Sequence, residues 1–150
     1  MSKISEVIRI IGKYDSEYRN VDKNFESLLK SISDYIQSEP SLKGIIKTSF
    51  DNRRYELYFR EFNITVTAEE SVKLFEYKET LSYAKQIIFY VEKTRSNKEE
   101  VYKVFITDDG FIVENVYAAE SICDIQNIYK GKSIMEQLLI NLVEKRIISV

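Results

Sequence analysis

One hundred and fifty residues, 44% of them hydrophobic, suffice for one domain with a real core and are too few for two comfortable ones. Charged residues make up 31% of the chain, and 24 acidic against 22 basic side chains nearly cancel, so no global field draws in nucleic acid or an anionic membrane. Histidine is absent and cysteine occurs once, which excludes Ser-His-Asp and Cys-His catalysis, His-based zinc sites, multi-thiolate metal sites and an internal disulfide.

Residues 1–6 hold no uninterrupted apolar run of the length a signal peptide needs, and Arg9 and Lys13 break the run that follows. No window approaches the ~18 apolar residues of a membrane span. The expectation is a single soluble, cytoplasmic domain over residues 1–150, with Cys123 as a small buried hydrophobe in a reducing compartment. Scarce Gly and Pro beside abundant Ile, Lys, Ser, Asn and Tyr resemble the products of AT-rich bacterial or mobile-element genes.

Apolar side chains recur at alternating steps of three and four from the start of the chain: Ile4, Val7, Ile11, Tyr14, Tyr18, Val21, Phe25, Leu28, Ile32 and Tyr35. A mean step near 3.5 keeps them on one stripe of a helix, and Ile8, Leu29 and Ile36 widen the stripe to suit a broad surface rather than a coiled-coil seam. Ser2 or Ser5 can cap its start. Gly12, the run Asp15-Ser16-Glu17 and residues 20–24 are poor helix formers, so a kink or a split competes with one continuous helix, although the apolar register crosses them without a slip. Pro40 ends the helix, because it restricts Glu39 and lacks a backbone donor.

From Gly44 to about Val116 the period changes to 2, and β-branched and aromatic residues dominate. Tyr55, Leu57 and Phe59 share one face of a strand with Arg54, Glu56, Tyr58 and Arg60 on the other; Phe62, Ile64 and Val66 alternate with Asn63, Thr65 and Thr67 in the next. Strands are predicted near residues 44–50, 53–60, 62–68, 71–77, 84–93, 100–107 and 111–116. Asp51-Asn52 suits a tight primed turn, Asp108-Asp109-Gly110 a three-residue loop with Gly in the left-handed region, and residues 94–99 a longer tip. Residues 80–84 read either as a turn or as the beginning of a long strand. Residues 87–91 and 101–106 are apolar on both faces, which places those strands centrally or against another molecule. Every connection is too short for a parallel crossover, so the sheet is an antiparallel meander.

Beyond Val116 the pattern is helical again. Ser133 and Glu136 have the spacing of a capping box, Met135, Leu138, Leu139, Leu142 and Val143 form a stripe, and Lys145 and Arg146 suit the negative end of the helix dipole. The apolar residues 147–150 are expected to pack down or to add a short strand. The predicted fold is α+β: a long N-terminal helix, an antiparallel β-meander of about six to seven strands, and a C-terminal helix, both helices packed on one face of a curved sheet. A first helix of about 33 residues spans roughly 50 Å, more than the ~20 Å of typical strands, so part of its stripe is expected to stay uncovered unless a second copy or another protein meets it.

Isolated glycines at 12, 44, 110 and 131 exclude the dinucleotide and Walker phosphate loops. Asp51 with Glu76-Tyr77-Lys78 is the sharpest enzymatic pattern, two metal-binding carboxylates beside a charge-stabilising lysine, but single Glu-x-Lys triplets arise easily in such a chain. Asp108 and Asp109 are more simply turn residues than cation ligands. Arg53, Arg54, Tyr55, Tyr58 and Arg60 form the one basic-aromatic cluster, weakened by Glu56 and Glu61. Eleven tyrosines are the more telling surplus, because Tyr offers large contact area at low rotamer entropy; Tyr58, Tyr77, Tyr90, Tyr102, Tyr117 and Tyr129 fall at strand positions or junctions.

The leading expectation is a non-catalytic protein-binding module of the inhibitor, immunity-type or chaperone-like kind, compatible with a homodimer and needing no cofactor or metal. Its candidate contacts are Arg54, Tyr58, Arg60, Tyr77, Tyr90 and Tyr102. The alternatives are a small-molecule binder with a cavity lined by residues such as Phe59, Ile87, Phe89 and Phe105, and a metal-dependent nuclease using Asp51, Glu76 and Lys78.

Overall fold

The computed structural model describes residues 3–51, 54–94, 97–117 and 120–148, with side chains for all of these except residues 14–22, 93 and 94. The proposed turn residue Asn52 and the basic residue Arg53 lie outside the described residues, as do Ser2, the centre of the 94–99 tip, Ser149 and Val150.

Helix α1 runs unbroken over Lys3–Ser38. At 1.5 Å per residue it is about 54 Å long. Its weak middle does not split it, and the apolar register explains why: Ile10 on one side of that region and Phe25, Leu28, Leu29, Ile32 and Ile36 on the other are all buried. Each such side chain contributes roughly 1.5–3 kcal/mol of transfer free energy, enough to outweigh a few residues of poor propensity. Glu39, in extended conformation, ends α1 and caps the short helix α2 (Pro40–Lys43), in which Pro40 takes the first position, where no backbone donor is needed.

Seven strands follow in meander order, each hydrogen-bonded to the next and every pair antiparallel. They are β1 (Ile46–Asp51), β2 (Arg54–Phe59), β3 (Ile64–Tyr77), β4 (Thr80–Thr94), β5 (Asn97–Thr107), β6 (Phe111–Val113) and β7 (Cys123–Asp124), with a single 3-10 turn (Arg60–Phe62) between β2 and β3. The sheet curls into a half-barrel, and α1 and the C-terminal helix α3 (Lys130–Glu144) pack on it. Tyr55, Leu57, Phe59, Val66, Ala68, Ile87, Phe89, Val104 and Ile106 meet Leu28, Ile32 and Ile36 of α1 and Ile134, Met135, Leu138 and Leu142 of α3 in one core.

Some details depart from the sequence expectation. The predicted strands at 62–68 and 71–77 are one strand, β3, paired with β4 without interruption from Val66↔Val91 to Tyr77↔Thr80. Glu69-Glu70 reads as a break, yet both carboxylates are partnered: Glu69 by Tyr90 and Lys98, Glu70 by the buried Lys85 at 2.7 Å. The β3–β4 turn is Lys78-Glu79, both at positive φ (50° and 63°) although neither is the Gly or Asn that such turns favour. Residues 80–84 accordingly begin the long strand β4. Strand β7, with the buried Cys123, has no counterpart among the predicted strands, and β6 stops at Val113.

Helix α3 begins at Lys130, ahead of the capping box read at Ser133, and its N-terminal residue Tyr129 makes no side-chain cap. A tertiary contact takes the place of the cap: the Ser31 hydroxyl of α1 accepts from the Gly131 N–H at 2.9 Å. A Cβ on Gly131 would lie 2.3 Å from the Ser31 carbonyl group, so this crossing is as close as two backbones allow and requires glycine. At the other end Arg146 turns left-handed (φ 58°), the N–H groups of Ile147 and Ile148 return to the Leu142 carbonyl, and Ile148 packs into the core. The loop Asp108-Asp109-Gly110 forms as expected, with Gly110 at φ 86°.

Candidate protein-binding surface

The β3–β4 hairpin outruns its neighbours. Pairing of β2 with β3 ends at Tyr55↔Ala68, whereas β3 and β4 stay paired as far as Tyr77↔Thr80, and β5 joins β4 only from Ala84. From Ser71 to Tyr77 no strand among the described residues borders β3 on the side away from β4. The backbone N–H and C=O groups of alternate residues along that stretch have no strand partner on that side among the described residues, the arrangement that accepts an added strand.

Helix α1 overhangs the same hairpin. Val7 and Ile10 pack on Leu81 and Tyr83, Lys3 meets Glu76 of β3 at 3.7 Å, and Lys13 meets Asp108 of the β5–β6 loop at 3.7 Å. Ile4, Ile8 and Ile11, spaced to share a helix face, are left 70%, 66% and 56% exposed. Further along α1, the Ser33 hydroxyl shares a 2.7 Å hydrogen bond with the Tyr55 hydroxyl of β2. Ile4 and Ser33 are about eight turns apart at 3.6 residues per turn, so both lie on the side of α1 that looks toward β2. Because β2 stops short, Ile4, Ile8 and Ile11 look over the free edge of β3 instead. Beneath them, on the inner face of β3, Val72 and Leu74 are 41% and 36% exposed. Five aliphatic side chains and a strand edge thus form one surface, and its inward-facing carboxylates are already neutralised, Glu70 by Lys85 and Glu76 by Lys3.

The outer face of the sheet is of a different kind. Arg54 pairs with Glu56 at 3.2 Å and with Glu92 at 3.7 Å, Arg60 pairs with Glu61, and the Tyr58 hydroxyl donates to Asn63. Tyr90 is buried; its hydroxyl donates to Glu69 at 2.8 Å, and Lys98 donates to the same carboxylate oxygen while lying over the Tyr90 ring. Burial opposes ionisation of Glu69, but the two donors outweigh it and hold its carboxyl below the usual range. Burial and then Glu69 push the Tyr90 hydroxyl up. Tyr102 is buried on the inner face, stacked on Phe89 with its hydroxyl on Glu114. Of the six residues proposed as contacts, Tyr77, at the hairpin tip beneath Lys78, belongs to the edge surface and is half exposed.

The nuclease triad is not assembled: Asp51 ends β1 opposite Arg54, whereas Glu76 lies at the far end of β3, roughly 20 Å further along the strand direction at 3.3 Å per residue. The described residues contain no cluster of three or more carboxylate or thiol ligands for a metal ion. Phe59, Ile87 and Phe89 are packed in the core, and Phe105 belongs to a small apolar cluster with Ala84 and Val113 on the other face, so these four line no common cavity. A cleft of about 520 Å³ does lie between α1 and α3, among Lys30, Asp34, Tyr35, Tyr129, Lys130 and Lys132. The Gly131 N–H at the start of α3 is taken there by Ser31, and Lys132 pairs with Glu136. No helix of the described residues is long and apolar enough to cross a membrane. Sequence reasoning foresaw the uncovered helix stripe but missed Val72 and Leu74, because the residues that leave a strand without a neighbour lie elsewhere in the chain. Comparison with protein-family models, with curated proteins and with solved structures gives no match.

Proposed function

We propose that the chain is a non-catalytic protein-binding module that takes up an extended segment of protein as an added strand along residues 71–77 of β3. The observation that carries this reading is the coincidence of a seven-residue edge, bordered by no described strand, with the exposed side chains of Ile4, Ile8, Ile11, Val72 and Leu74. Main-chain hydrogen bonds to the edge supply affinity, and alternate inward side chains of the added segment fill the space under α1, as Tyr55 of β2 does further along. A small inhibitor, an immunity-type protein or a chaperone-like protein working in the cytoplasm fits such a surface. The absence of histidine and the internally paired arginines and glutamates of the outer face favour binding over catalysis.

The test is amide hydrogen exchange on complexes recovered after co-expression with genomic neighbours, compared with the dilute protein alone. Slowed exchange at alternate residues of 71–77, together with protection around Ile4, Ile8 and Ile11, is the expected footprint. A footprint on the outer face around Arg54 and Tyr58, with the β3 edge unchanged, contradicts the reading.

A further inference from the structure

We infer that the segment added to β3 is β3 of a second copy of this chain, paired antiparallel across a two-fold axis that runs normal to the sheet through Leu74. This rests on the strand-addition reading above and names its occupant.

A two-fold interface must present a patch that complements itself. Antiparallel pairing of an edge with its own copy does so without flipping the sheet, so the inner face of one copy continues into the inner face of the other. Steric limits then select the register. The last β2–β3 partners are Tyr55↔Ala68, so Arg54 stands beside Glu69 and bars an incoming strand from reaching that far. At the other end β3 stops at Tyr77. Centring the axis on Leu74 satisfies both limits: Ser71 lies opposite Tyr77, Val72 opposite Glu76, Lys73 opposite Phe75, and Leu74 opposite itself. Centring on Lys73 would set two lysines face to face and drive Tyr77 into Arg54.

The chosen register also suits the charges. No like-charged side chains stand directly opposite, and Lys73 meets an aromatic ring. Glu76, which faces Val72 of the other copy, keeps Lys3 of its own. On the inner face the two Leu74 side chains meet on the axis with Val72 to either side, and the two faces built from Ile4, Ile8 and Ile11 look toward each other over them. Each copy thereby covers the aliphatic surface that the other leaves in water.

The experiment uses the full chain carrying Leu74→Cys, oxidised at micromolar concentration and read by intact mass. Opposite residues of an antiparallel pair have Cα atoms about 4.5–5.5 Å apart, within disulfide range. The expected product is a disulfide-linked dimer in high yield. Ser71→Cys is the register control, since its own copy lies about 20 Å away at 3.4 Å per residue, and it stays unlinked. The wild-type chain, whose Cys123 is buried, reports the background. In parallel, Ile8→Glu converts a dimer mass in sedimentation to a monomer mass with an unchanged circular-dichroism spectrum. A mass that stays monomeric up to millimolar concentration, or Ser71→Cys linking as efficiently as Leu74→Cys, overturns the inference. The strand-addition reading fails separately: it survives a monomer whose 71–77 amides are protected by another protein, and it falls if that edge is protected in no complex.

Discussion

The two halves of α1 carry the same apolar periodicity and meet opposite fates. In the C-terminal half, Phe25, Leu28, Leu29, Ile32 and Ile36 are buried between the sheet and α3, and Ser33 is tied to Tyr55. In the N-terminal half, among the described side chains, Val7 and Ile10 pack on the sheet through Leu81 and Tyr83, while Ile4, Ile8 and Ile11 face water. The difference lies in what surrounds the helix, because β1, β2 and α3 flank one half and stop before the other. One stretch of sequence is thus core at one end and exposed apolar surface at the other.

The largest effect separating the halves is expected from truncation. Leu28→Ala should cost about 2–5 kcal/mol, because it opens a cavity between three elements, and chemical denaturation measures it directly. Gly131→Ala comes next: the added methyl meets the Ser31 carbonyl group, so α1 and α3 must separate, at about 1–3 kcal/mol and a lowered melting temperature.

The buried half carries a group that titrates. Burial, and less so Asp34, pushes the Tyr55 hydroxyl up to about 12, against the lowering effect of its Ser33 hydrogen bond. A group whose folded pKa is raised contributes stability that is fully present below the unfolded value of 10.0 and is lost as pH rises toward 12. The stabilisation lost is of order 2 kcal/mol. Melting temperature should therefore fall between pH 10 and 12, and Tyr55→Phe should fall less steeply over that interval. The smallest stability effect belongs to the exposed half: Ile8→Ala should change folding free energy by less than about 0.5 kcal/mol while weakening association.

What was legible in the chain follows from how far each signal reaches. The stripe from Ile4 to Ile36, the strand alternation around Tyr55, Leu57 and Phe59, and the glycine of the 108–110 loop are local patterns, and each forms as read. The unity of β3 was hidden because Glu69 and Glu70 look like a break, and their partners Lys98 and Lys85 are distant in sequence. The Lys78-Glu79 turn lacks turn chemistry and is held by the twelve paired residues of each flanking strand. The start of α3 was misplaced for the same reason, since its cap is a serine from α1. Tyr90 and Tyr102 read as contact tyrosines, yet each ring is buried and each hydroxyl rests on a carboxylate from another strand or its end. The candidate surface was half legible: the helix supplied a visible surplus, whereas a missing strand neighbour is written nowhere near Val72 and Leu74.

The most direct test of the account is residue-resolved hydrogen exchange across β3 as a function of protein concentration. The account predicts that alternate amides between Ser71 and Tyr77 exchange freely in dilute protein and become protected as concentration rises, while those paired with β4 are protected throughout. Exchange along that edge that stays fast at every concentration and in every complex would contradict it.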